Sequence, residues 1–103
     1  MAIFYTAYSD LELPDLMQRL GMAATSAGDT WEMWRAYDDL GPFHQEIMAE
    51  YGVRDNFKSA CFTRHSKDHS VQAREAMLSF FDSLPGRKLL LNRGVLVSLR
   101  QEQ

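Results

Sequence analysis

The residues best equipped for chemistry lie close together in the run Cys61-Phe62-Thr63-Arg64-His65-Ser66-Lys67-Asp68-His69, which holds the chain's one cysteine and two of its three histidines. A thiolate and two imidazoles are ligands for zinc and related metals, and on a helix Cys61, His65 and His69 would share one face at four-residue spacing. A tetrahedral structural site wants a fourth ligand, which would have to come from elsewhere in the chain. No nucleophile has a visible relay: the serines lack a G-x-S-x-G context, and Cys61 with His65 or His69 lacks a third, orienting residue. Neither a G-x-x-x-x-G-K-[ST] loop nor a G-x-G-x-x-G turn is present, so nucleotide chemistry is not indicated. The expectation is therefore no catalytic residue, no metal and no cofactor.

Within the same run, Arg64 and His69 form an R-x4-H pattern, with His65 directly after the arginine. This resembles the motif of the all-helical HEPN ribonuclease families. The resemblance implies a phosphate-binding role for Arg64 and an acid or base role for His69, whose ordinary pKa near 6.5 suits proton transfer. It covers six residues, and the rest of the chain departs from it, with strands expected at both ends and an acidic overall balance. A small ribonuclease or metal-binding protein centred on Cys61, Arg64, His65 and His69 is the second reading of function.

A different set of residues suggests recognition. Trp31, Trp34, Tyr37, Phe43 and Tyr51 concentrate large side chains beside Glu32, Asp38 and Asp39. If Trp31 and Trp34 cannot both be buried on one face, one of them is exposed among acids. Aromatics of that kind dominate interface hot spots. Glu32, Trp34, Asp38 and Asp39 are accordingly the expected partner-binding residues. His44, Glu46 and Glu50 read as the solvated side of a helix.

The elements that must carry these residues follow from periodicity. Ser70 to Leu84 is the clearest helix, with Ala73, Ala76, Met77, Phe80, Phe81 and Leu84 on one stripe and Pro85-Gly86 as its stop. Ala2 to Tyr8 reads as an interior strand, Ile3 and Tyr5 facing one way and Phe4, Thr6 and Tyr8 the other. Pro14 opens a helix running to about Ala24, Thr25 to Asp29 reads as a flexible loop, and Pro42 opens a helix closed by Gly52. Asp29 and Glu32 resemble a capping box, which favours a helix from Trp31 to Leu40, although Met33 and Arg35 against Trp34 and Ala36 also fit a short strand. Asp55 would open a helix through Phe57, Ala60, Cys61 and Arg64, with a strand over Ser59 to Thr63 as the alternative. Leu89 to Leu91 and Val95 to Leu99 flank Asn92-Arg93-Gly94, a hairpin with a three-residue loop whose apolar runs must be covered.

Together these predict a single α+β domain over residues 1–103, with a mostly antiparallel sheet of about three strands, the N-terminal strand plus the C-terminal hairpin, and three to four helices packed on it. A chain of 103 residues with 46 % hydrophobic and 24 % charged residues supports one core. The lone cysteine and the lack of a long apolar run read as a soluble, cytoplasmic protein. Residues 1–52 hold two bases and nine acids, and residues 53–103 hold nine bases and five acids. The bases are scattered among acids, which disfavours nucleic acid as a partner. The first reading is a non-enzymatic binding module, such as an immunity protein, a phage-encoded inhibitor or a small regulator, docking on a protein with a basic surface. The third is a homodimeric subunit assembled through the C-terminal hairpin.

Overall fold

β1 (Ala2–Ser9) carries apolar groups on both faces, Tyr5 and Ala7 on one and Tyr8 on the other, and all three are buried. Such a strand belongs inside a sheet. In the computed structural model, which describes residues 2–53 and 56–101, β1 pairs on one side with β3 (Ser59–Ser66) and on the other with β4 (Lys88–Asn92). β2 (Met33–Tyr37) extends the sheet beyond β3, and β5 (Val95–Arg100) extends it beyond β4. The order is β2-β3-β1-β4-β5 with every pair antiparallel.

Helices α1 (Leu13–Ala27) and α3 (Ser70–Ser83) lie side by side on one face. Their buried stripes, Leu16 and Leu20 from α1 and Ala73, Met77, Phe80 and Phe81 from α3, meet Tyr5, Ala7, Cys61 and Leu90 of the sheet. On the opposite face α2 (Pro42–Glu50) and the segment after it bring Met48, Val53 and Phe57 against Tyr8, Ala60, Leu89 and Leu91. Leaving out α2 and β5, the path β1-α1-β2-β3-α3-β4 is a split β-α-β, ferredoxin-like arrangement, in which each helical crossing leaves room for a third strand between the two that it joins. Among the described residues no helix is long and apolar enough to cross a membrane.

Polar groups at the joins are satisfied locally. Ser9 and Ser59 are fully buried: the Ser9 hydroxyl accepts from the Leu11 N–H at 3.0 Å, and the Ser59 hydroxyl donates to the Leu11 carbonyl at 2.7 Å. Arg87 grips Asp10 through two hydrogen bonds of 2.8 and 2.9 Å, tying the β1-α1 loop to the loop before β4. The Lys88 ammonium donates to the carbonyls of Phe81, Asp82 and Leu84 at the end of α3 and lies 4.9 Å from the Phe81 ring centroid. A cation placed there answers the negative end of the helix dipole and the carbonyls that no helical turn can reach.

Among the described residues the sheet has five strands where about three are expected, and there are three α-helices where three to four are expected. Both extra strands come from segments that read as helix. Residues 33–37 form β2, and the expected capping box gives way to a 3₁₀ turn over Gly28–Thr30. Residues 59–66 form β3, while the helix start expected at Asp55 lies outside the described residues. α1 runs through Thr25, Ser26 and Ala27, where a loop is expected. The hairpin turn is two residues, Arg93 and Gly94, both at positive φ (54° and 84°), the twist-matched geometry for joining adjacent strands. Val97 of β5 is half-buried and packs against the core that includes Tyr5, Ala7 and Leu90.

This packing separates two phenylalanines sharply. Phe81 is 1 % exposed and Phe43 is 67 % exposed. Phe81→Ala is expected to cost about 3–5 kcal/mol in urea unfolding, against about 0.5 kcal/mol or less for Phe43→Ala.

Candidate docking surface

β2 is an edge strand, and its ends and faces carry the expected partner-binding residues. Glu32 precedes it, exposed, its N–H donating to the Arg64 carbonyl at 2.8 Å. Asp38 and Asp39 follow it, also exposed. The three acids therefore bracket the strand as a rim rather than forming one cluster; six residues of extended chain span about 20 Å. The two tryptophans part company. Trp31 is 5 % exposed and packs edge-to-face on Phe80, with centroids 6.2 Å apart, whereas Trp34 is 43 % exposed. Trp34 lies on the helix side of the sheet, its ring 3.8 Å from where a Cβ on Gly21 would stand.

The alternate residues of β2, Met33, Arg35 and Tyr37, face the α2 side, as do Phe62 and Arg64 of β3 and Phe4 of β1. α2 covers the Tyr8 and Ala60 end of this face and leaves the other end open. There Met33, Arg35 and Arg64 are exposed, and Phe4 and Phe62 are half-buried. The Phe4 and Phe62 rings stack at 5.5 Å, and the Arg64 guanidinium lies 5.9 Å from the Phe4 centroid. Arg35 stands the same 5.9 Å from the Tyr37 ring. A hollow of about 390 Å³ opens between Met33, Arg35, Tyr37, Asp39, His44 and Phe62. At its α2 end the Tyr8 hydroxyl and His44 Nδ1 share a 2.7 Å hydrogen bond, and the His44 ring packs on Tyr37 and Phe43. Burial raises both the Tyr8 and the Tyr37 phenols above their ordinary values, so both stay protonated at neutral pH.

The Cys61-to-His69 run does not assemble a reactive centre. On a strand, the four-residue spacing that would align Cys61 and His65 on a helix holds their Cα atoms about 13 Å apart. Both side chains point into the core, each fully buried, and burial pushes the Cys61 thiol up to about 12. Arg64 projects from the opposite face, and His69 is exposed in a 3₁₀ turn over Lys67–His69. The HEPN-like pattern therefore sits on a strand and a turn instead of in a helical bundle, with its arginine and histidine on different elements. No group of three or more His, Cys, Asp or Glu side chains among the described residues is placed to hold a metal ion.

The geometry defines a small α+β fold with an acidic-rimmed, arginine-bearing sheet face. The chain matches no family model and no curated protein. Its fold is similar to one chain of the solved CdiA-CT/CdiI toxin and immunity complex from Burkholderia pseudomallei, with a TM-score of 0.69 and 16 % identity over 94 % of this chain and 99 % of that one.

Arg35, Phe4 and Phe62 are absent from the expected set. Their signal was the alternation Met33, Arg35, Tyr37 against Trp34 and Ala36, which becomes a face only once β2 is a strand in register with β3. Beneath that face His65 is a titrating group of the core. Its ring lies 5.1 Å from that of Tyr5, and neither ring nitrogen has a hydrogen-bond partner among the described residues. Burial pushes its pKa below the ordinary value, with the Glu32 carboxylate pulling the other way. The unfolded chain then takes up a proton at about pH 6.5 before the folded one does, so this contribution to stability is full above that pH and falls as the pH drops. The urea midpoint is expected to fall between about pH 7.5 and 5, and His65→Leu is expected to flatten that fall.

Proposed function

We propose that this chain is a non-enzymatic protein-binding module of the inhibitor or immunity type, which acts in the cytoplasm by docking on a protein partner. The observation that carries the reading is the fold match over almost the whole length of both chains to a member of a toxin and immunity complex. That complex contains two kinds of protein, and the arrangement of this chain favours the inhibitor over the toxin. Its Cys61 and His65 are sealed in the core, while Arg64 and His69 lie outside it on different elements. What faces solvent is instead suited to recognition: Trp34 and the acids Glu32, Asp38 and Asp39 around an edge strand.

In this reading the rim steers a partner with basic side chains, since exposed charges at the edge of an interface act on encounter and orientation more than on dwell time. The test is capture from a lysate with the tagged chain, the bound proteins being identified by mass spectrometry. The combined variant Glu32→Lys, Asp38→Lys and Asp39→Lys is expected to lose the captured partner, most clearly at low salt. Equal capture by the variant would remove the rim from the interface, and a wild-type chain that holds no protein partner would sink the docking reading itself.

A further inference from the structure

We infer that the open half of the sheet, on the α2 side, is the centre of the docking surface and that it takes a protein surface carrying paired carboxylates, with Arg35 and Arg64 as the anchors. This deepens the docking reading and rests on it. Both guanidinium groups are exposed, and neither has a hydrogen bond or ion pair among the described residues. Each lies beside an aromatic ring, Arg64 5.9 Å from the Phe4 centroid and Arg35 5.9 Å from that of Tyr37. A guanidinium in contact with a ring keeps its planar fork of N–H donors for a carboxylate.

Their spacing narrows the ligand. Arg64 stands opposite Met33, and Arg35 opposite Phe62, so the two arginines are diagonal neighbours across β2 and β3. Diagonal positions are about 7–8 Å apart. Two carboxylates four residues apart on a helix, or two apart on a strand, have a spacing of about 5–7 Å and can engage both arginines at once. Phe4, Phe62 and Met33 surround the pair with apolar area, and arginine, methionine and aromatics are what the buried centre of an interface is made of. The acids at the ends of β2 then lie outside this centre, as a rim of opposite sign that rejects partners presenting negative charge everywhere.

A single-stranded nucleic acid fits the same face poorly. Bases need a free ring face to stack on, and here Phe4 and Phe62 stack on each other with Arg64 5.9 Å from the Phe4 centroid, so part of the ring surface is already taken.

The experiment is a titration of the isotopically labelled full chain, followed by amide chemical shifts, with three probes: a helical peptide bearing two glutamate pairs at four-residue spacing, its glutamine counterpart, and an oligothymidylate of matched charge. The glutamate peptide is expected to shift the amides of Met33, Arg35, Phe62 and Arg64, the glutamine peptide to leave them in place, and Arg35→Gln with Arg64→Gln to weaken binding by about tenfold or more. Shifts confined to another face, equal binding of the glutamine peptide, or tighter binding of the oligonucleotide at these amides would each overturn the assignment. Mapping on the wild-type chain decides the matter even if the double variant folds badly. A partner from lysate that the double variant captures as well as the wild type leaves the docking reading standing and the assignment overturned. The converse pattern, peptide shifts at these amides with no partner captured, supports the assignment and overturns the reading.

Discussion

The constraint from which the rest follows is that β1 is paired along both edges and buried on both faces. Tyr5 and Ala7 commit one side of it to α1 and α3, and Tyr8 commits the other to α2 and the segment behind it. The chain's N-terminal strand can be completed only by β3 from the middle and β4 from near the end, so the fold closes around it. The two covering layers are unequal. α1 and α3 have 15 and 14 residues, and α2 has nine. A nine-residue helix is about 14 Å long, and an eight-residue strand is about 26 Å. The face under α2 cannot be fully covered, and Phe4, Phe62, Met33 and the two arginines occupy what is left.

How much of this was legible in the chain depended on whether a signal was local. β1, the helix over Ser70–Ser83, the two proline-opened helices and the C-terminal hairpin announce themselves through periodicity and stop residues. The middle did not, because aromatic and methionine residues suit both a helix stripe and a strand, and Asp29 with Glu32 imitates a cap. What decides for strand is pairing: each residue from Met33 to Tyr37 has a partner between Ala60 and Arg64, a long-range relation that neither segment displays alone. A helix over residues 31–40 or 55–64 does not display the face that β2 and β3 make together.

The acidic residues were easier to place than the basic ones for a related reason. Glu32, Asp38 and Asp39 flank an element, and flanking charges are exposed whether that element is a helix or a strand. Arg35 and Arg64 sit within elements, and which way they point reverses with a one-residue change of register. The same alternation places His65 in the core and its neighbour Arg64 in solvent. Adjacent residues that resemble one chemical cluster in a list are thus parted by the thickness of the sheet.

Placement on strands also bears on what kind of recognition the chain can support. Binding loses free energy to every side chain and loop that must be ordered at the interface. Here β2, β3 and β1 hold the backbones of Arg35, Arg64, Phe62 and Phe4, aromatic rings lie beside both guanidinium groups, and a Tyr8–His44 hydrogen bond ties α2 to the sheet next to them. Glu32, Asp38 and Asp39, by contrast, are exposed at the two ends of β2, and exposed charges act at a distance without demanding one geometry. In any interface that such a face makes, contacts at the middle of the strands act on dwell time and charges at their ends act on encounter, so affinity and steering fall to different residues.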